Sequence, residues 1–143
     1  MKKNTTVNDI NIINFNNFKH NDENLYVYPY DTKQVPFLVR RVFLISNVNK
    51  NSSRGNHAHK KTQQLFISLK GKIIFKFYDG IKTKSITLKN PQKGIFVPSG
   101  IWYETHYKEK KSSLLVLNDK LYFEKDYIRD IKNFKIYKNA KSP

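Results

Sequence analysis

From Pro36 to Leu117 the chain repeats one design: a short run rich in β-branched and aromatic residues, then polar turn residues, with no helical period between them. The runs are Phe37 to Ile45, Gln64 to Leu69, Lys72 to Tyr78, Ile81 to Leu88, Gly94 to Val97, Ile101 to Tyr107 and Leu114 to Leu117. Gly71, Asp79-Gly80, Asn90-Pro91 and Pro98-Ser99-Gly100 punctuate them. Strands at this spacing leave an all-β sandwich or barrel as the fold class. In Ile101 to Tyr107, strict alternation puts Ile101, Tyr103, Thr105 and Tyr107 on one face and Trp102, Glu104 and His106 on the other. The length and apolar content of Phe37 to Ile45 predict a central strand. Arg40 and Arg41 are neighbours in it, so one of them faces inward, where a guanidinium needs an anion.

The ends differ from the middle. Residues 1–24 are polar and Asn-rich, with Ile10, Ile12 and Asn14 fitting one face of an edge or exchanged strand. Tyr26, Tyr28 and Tyr30 follow at period two, either as half-buried sheet aromatics or as a pocket wall. At the other end Asp126 can cap a helix, and the spacing of Tyr127, Ile131 and Phe134 predicts a short amphipathic helix over Tyr127 to Tyr137, packed outside the sheets.

A chain of 143 residues suits one domain, here 1–143. It has no cysteine, which excludes a disulfide framework and thiolate chemistry. No apolar run approaches the ~20 residues needed to span a bilayer, and the N-terminus lacks a signal-peptide stretch. The expectation is a cytoplasmic protein with no membrane partner. The net charge of +16 invites a nucleic-acid reading, but the lysines are dispersed and no basic helix or zinc-finger spacing presents them. No nucleic-acid partner is expected, while a small anionic ligand such as a nucleotide fits.

The chemistry concentrates in Arg54-Gly55-Asn56-His57-Ala58-His59-Lys60, followed by Gln64 and Gly71. In an extended segment His57 and His59 share a face with Cα atoms roughly 6.6 Å apart. Such a pair can bind a metal, pass protons or hydrogen-bond inside a wet cavity.

The spacing His57-x-His59, Gln64, Gly71 is similar to the first motif of the cupins, and Gly94 with Pro98-x-Gly100 and Tyr103 resembles the second. In metal-binding cupins the resemblance would make His57, His59, a Glu at 64 and a His at 103 the ligands. Here an amide and a phenol stand at the last two, so no metal is expected. More specifically, Arg54-Gly55-x-His57-Ala58-His59-Lys60 with Gln64, and Tyr122-x-Glu124-x-Asp126-Tyr127-Ile128-Arg129, resemble the nucleotide-sugar 3,4-ketoisomerases, small cupins related to the deoxysugar 3,5-epimerases. The resemblance runs from about Phe37 to Phe134, and Asn56, Tyr103 and Phe123 depart from it.

That resemblance implies a cupin jelly roll with a short C-terminal helix, a homodimer exchanging N-terminal strands, and a dTDP-4-keto-6-deoxyglucose substrate feeding an amino sugar of a surface glycan. The reaction moves the carbonyl from C4 to C3 through an enediol and needs no cofactor. His59 would be the base at C3, and His57 would pass protons between the sugar oxygens or deliver one to C4. Arg54 and Arg41 would meet the diphosphate and the enolate, with Lys60, Gln64, Tyr103 and Tyr26 as further substrate contacts. Asp126, Tyr127 and Arg129 read as a helix cap and packing. A 3,5-epimerase and a non-catalytic nucleotide-sugar-binding cupin are the competing readings.

Overall fold

In the computed structural model, which describes residues 4–31 and 33–140, the apolar runs pair into two five-stranded antiparallel sheets. The strands are β1 (Asn11–Asn14), β2 (Asn16–His20), β3 (Glu23–Val27), β4 (Arg41–Val48), β5 (Ser53–His59), β6 (Gln64–Lys70), β7 (Ile73–Tyr78), β8 (Thr83–Leu88), β9 (Lys93–Val97), β10 (Trp102–Tyr107), β11 (Ser112–Asn118) and β12 (Tyr127–Ile128). One sheet runs β1-β9-β6-β11-β4 and the other β12-β5-β10-β7-β8, while β2 and β3 form a separate hairpin. Consecutive strands β6 and β7 fall in different sheets, so the chain crosses the sandwich at Gly71. This is the jelly-roll arrangement, and its interior holds Phe66, Phe75, Phe77, Ile95, Tyr107 and Val116.

At β6 the first sheet is covered on both faces, which explains the unbroken apolar run there. Phe66 points between the sheets, while Leu65 and Ile67 pack outward against Phe15, Val35 and Phe37. That cover changes the expectation for Phe37 to Ile45. The strand begins only at Arg41 and lies at the sheet edge; β6 is central instead. Phe37 leaves the strand to place its ring 6.2 Å from Phe96, and the outward Val42 and Leu44 stay 56% and 55% exposed.

At the N-terminus, β1 pairs with β9 at the opposite edge. Its buried side chain is Ile13, not Ile12, and Ile10 is buried ahead of the strand. The phase is reset by a 3-10 turn, Val7–Asp9, capped by Thr6. The tyrosine pattern does not extend to Tyr30, which is 67% exposed, because β3 stops at Val27 before Pro29. Tyr28 leaves the hairpin, donates to the Pro91 carbonyl (3.0 Å) and packs edge-on against Phe15.

The tail departs most from the sequence reading. Helix α1 spans Ile131–Asn139 and is capped by Asp130, whose carboxylate accepts from the Lys132 and Asn133 amides. Tyr127 and Ile128 are a strand pairing with β5 opposite His59 and Ala58. Phe134, fully buried, packs α1 onto Ala58, Trp102 and Ile128. Truncating Phe134 to Ala should cost about 3–5 kcal/mol and loosen β12, visible as a lower thermal midpoint and faster amide exchange at Tyr127 and Ile128.

Candidate active site

The site grows from the pairing of β5 with β10. Tyr103 lies opposite His57 and Thr105 opposite Arg54, but Glu104 pairs with Gly55, leaving Asn56 as an extra residue. Gly55 and Asn56, at this bulge, both have positive φ, 89° and 60°. A Cβ on Gly55 would sit 3.0 Å from the Tyr103 carbonyl oxygen and 3.1 Å from its ring, so only glycine fits without moving Tyr103. In an unbroken strand Arg54 would face away from His57. The bulge sets it against inward-facing Thr105, and Arg54 joins the wall of the barrel interior.

His57 and His59 do meet, their ring centroids 5.2 Å apart and nearly perpendicular. His59 is buried, and its Nδ1 lies 2.8 Å from the Asp126 carboxylate. Burial pushes Asp126 up, but hydrogen bonds from His59, Thr62 (2.5 Å) and the Lys61 amide (2.6 Å) outweigh it and hold the acid down to about 2. An ionised carboxylate only accepts, so His59 Nδ1 carries a proton, and in the neutral ring Nε2 is the nitrogen with the lone pair. Nε2 is buried with no hydrogen-bond partner among the described residues.

His57 has the opposite surroundings. Burial and neighbouring His59 lower it to about 4, so it is neutral near pH 7. Its Nδ1 is 3.2 Å from the Gly55 carbonyl oxygen, which can only accept, so Nε2 is the acceptor and the Tyr103 hydroxyl donates to it at 3.0 Å. Burial raises the Tyr103 phenol well above its usual range, keeping that proton in place. Tyr127 leans on both imidazoles, with centroids 5.0 Å from His57 and 4.4 Å from His59.

A row of polar side chains crosses the other sheet at the same end. Gln64 donates to the Asn118 side-chain oxygen (2.8 Å), which also lies 3.5 Å from Arg41 Nη2. Of the two adjacent arginines, Arg41 is the inward one and Arg40 is exposed. Arg41 Nε is buried without a partner among the described residues. Its guanidinium lies 5.7 Å from the Tyr122 ring. The cavity between the sheets measures about 90 Å³ and is lined at this end by Arg54, His57, Gln64, Tyr103 and Tyr127.

The chain therefore gathers His57, His59, Arg54, Arg41, Gln64 and Tyr103 at one end of the barrel. Lys60 is half-exposed, and its amide donates to the Asp126 carbonyl (2.8 Å). Tyr26 sits on the β2–β3 hairpin, outside the two large sheets. Sequence reasoning undervalued Asp126 and Tyr127 and overlooked Asn118, which is fully buried between Gln64 and Arg41. The signal available for Asp126 was a carboxylate beside an aromatic in a motif already singled out. Its pairing with His59 spans 67 residues, which no local pattern encodes. Among the described residues no cluster of three or more His, Cys, Asp or Glu is placed to hold a metal ion.

Among known proteins, the family-model match, the curated relative and the structures of 27–32% identity point to one group. The family described as FdtA: WxcM-like, C-terminal matches residues 8–139. A TDP-4-oxo-6-deoxy-alpha-D-glucose-3,4-oxoisomerase of Aneurinibacillus thermoaerophilus is 36% identical over 107 residues, covering 75% of this chain and 77% of the relative. A 3,4-ketoisomerase structure from Helicobacter canadensis superposes with a TM-score of 0.87 at 32% identity, covering 92% of this chain and 98% of that one. The sugar 3,4-ketoisomerase QdtA of Thermoanaerobacterium thermosaccharolyticum, in complex with TDP, gives 0.85 at 28% identity, covering 92% and 95%. A histidine-to-asparagine variant of the same enzyme is in complex with TDP-4-keto-6-deoxyglucose.

The depressed His57 has a stability consequence. Below about pH 6.5 the unfolded chain takes up a proton that folded His57 refuses until about pH 4, so acidification favours unfolding across that window and not above it. Denaturant titrations should show stability falling from pH 6.5 to 4, with a shallower fall in His57→Gln.

Proposed function

The chain belongs to the FdtA family (WxcM-like, C-terminal) and is an isomerase, a TDP-sugar 3,4-ketoisomerase; from that premise we propose that it converts TDP-4-keto-6-deoxyglucose to a TDP-3-keto-6-deoxyhexose by proton transfer between its own side chains and the sugar. The observation that carries this reading is the contrast between the two histidines. His59 has a carboxylate behind Nδ1 and an unpartnered Nε2, whereas His57 is neutral and linked to a phenol.

His59 Nε2 takes the proton from C3, which the C4 ketone acidifies, and Asp126 stabilises the imidazolium formed. The C3–H electron pair becomes the C3=C4 bond and the C4 carbonyl becomes an enolate oxygen. His57 with Tyr103 moves a proton from the C3 hydroxyl to that oxygen, a task for a neutral imidazole and a protonated phenol. Collapse to the C3 ketone with protonation at C4 by the His59 imidazolium, its proton having exchanged with solvent, completes the isomerisation and returns His59 to the neutral base. Arg41, with an unpartnered Nε and no carboxylate within ion-pairing distance among the described residues, suits the enolate or a phosphate oxygen, and Arg54 at the mouth suits the diphosphate. Gln64 holds the Asn118–Arg41 row in register, and Lys60 is a further phosphate contact at the rim. The reaction needs no cofactor. His57 Nε2 already accepts from Tyr103 and His59 Nδ1 donates to Asp126, which leaves the site short of metal ligands.

The 143 residues work as one cupin domain and assemble as a homodimer. Support comes from the uncovered apolar residues Phe18 and Leu25 on the hairpin and Val42 and Leu44 on edge strand β4. Tyr26, on that hairpin, meets substrate only across such an interface, with N-terminal strands exchanged. The enzyme acts in the cytoplasm, supplying a 3-keto sugar to an aminotransferase for a surface glycan.

Proton NMR of TDP-4-keto-6-deoxyglucose incubated with the purified protein in D₂O tests the activity, the expected result being a 3-keto product carrying deuterium at C4. A carbonyl that stays at C4 with exchange at C3 and C5 would mark an epimerase, and binding without change a non-catalytic cupin. Pretreatment with chelator should leave the rate unaltered. His59→Asn should lose on the order of 10³-fold or more in kcat, and Asp126→Asn on the order of 10²-fold or more, both with native-like circular dichroism.

A further inference from the structure

The barrel mouth is narrowed by a ladder of side chains on residues 122–129. Tyr127 lies against both histidines, and the Arg129 guanidinium sits over the Tyr127 ring at 4.2 Å. Arg129 is fastened in turn by Glu124, Nε to Oε1 at 2.7 Å and Nη2 to Oε2 at 3.0 Å. Tyr122 donates to the same carboxylate, and its ring packs 5.5 Å from Tyr127. Behind this ladder the cavity is about 90 Å³, well short of the ~300–1,000 Å³ of ordinary ligand pockets. His59 Nε2 is likewise buried, with no hydrogen-bond partner among the described residues. The fastening itself is at the surface: Arg129 and Glu124 are 52% and 57% exposed, and Leu121, Tyr122 and Phe123 just before it are exposed as well. Only at Asp126 does the segment become buried again.

A carboxylate gripping both arms of a guanidinium fork occupies the positions that two phosphate oxygens would take. We propose that Glu124 is an internal stand-in for the substrate's diphosphate: the nucleotide sugar takes Arg129 from Glu124, and this exchange frees Tyr127 from the histidines and opens the barrel to the hexose. The inference rests on the TDP-sugar reading above and assigns Arg129 as a substrate ligand and Glu124 as the latch that competes for it. A free hexose, lacking the diphosphate, does not release the latch, so the anionic end of the substrate is used to expose the site where the sugar reacts. Glu124 is held down to about 2 by Arg129 and by Tyr122, so the latch is charged throughout the working pH range.

The test is calorimetric titration of the full chain with TDP, alongside the NMR turnover assay. Removing the competitor in Glu124→Gln should tighten TDP binding about two- to fivefold, the worth of an exposed ion pair, without shifting the thermal midpoint. Arg129→Gln should weaken it by about tenfold or more, and Arg129→Lys should recover only part, because an ammonium lacks the fork. Tighter binding in Glu124→Gln together with weaker binding in Arg129→Gln establishes the exchange. Unchanged or weaker TDP binding in a Glu124→Gln protein that melts like the wild type overturns the latch, and the isomerase reading stands if the wild type still moves the carbonyl. A wild type that neither binds TDP nor turns over the sugar overturns both.

Discussion

The hydrogen bond from His59 to Asp126 is the contact on which the rest of the site depends. A carboxylate at 2% exposure is tolerated because its oxygens are satisfied, by His59, Thr62 and the Lys61 amide. Those three donors come from the end of β5 and the loop leading to β6, while Asp126 arrives from the far end of the chain. Two further constraints hold it there. Tyr127 and Ile128 pair with β5 directly beside the histidine, and Phe134 anchors the following helix on Ala58 and Trp102. The Gly100 amide also donates to the His59 carbonyl (2.7 Å), and Lys138 of the helix reaches the Gly100 carbonyl (2.9 Å). The helix outside the barrel is thus connected to the histidine inside it.

Two histidines separated by one residue acquire different properties from what stands behind each. An anion behind His59 fixes which ring nitrogen carries the proton, and burial beside another imidazole disfavours a protonated ring at His57. Divergent surroundings of this kind are what the proposed division into a base at carbon and a relay between oxygens requires. The positive groups at the mouth, Arg41, Arg54 and Arg129, add a field that suits an anionic substrate. The lysines that dominate the net charge lie partly elsewhere: Lys50, Lys70, Lys108, Lys110 and Lys111 gather around the turns at the opposite end.

Much of this was legible in the chain. Alternation in Ile101 to Tyr107 put Ile101, Tyr103, Thr105 and Tyr107 on one face, and all four are buried in the fold. Asp79-Gly80 marked a hairpin turn, and Asp79 does accept from the Ile81 and Lys82 amides. One of two adjacent arginines had to turn inward, and Arg41 does. The tail was misread because Asp126 and Asp130 are both plausible helix caps, and the choice between them is made by β12 pairing with β5. The apolar run after Pro36 was misread because its side chains cover two different surfaces, one of them outside the sheet.

What the sequence by itself determined is whatever depends on near neighbours: period-two strands, turns where glycine or asparagine relieves backbone strain, and the common face of His57 and His59. Tertiary structure alone decided what depends on pairing across the fold. The bulge at Gly55-Asn56 turned Arg54 inward because β10 offers one residue where β5 has two. Asp126 became the partner of His59, and Asn118 the link between Gln64 and Arg41, because sheet register aligns residues that lie more than fifty positions apart. Hydrogen bonds act over about 3 Å, and only the folded chain brings those groups within that range.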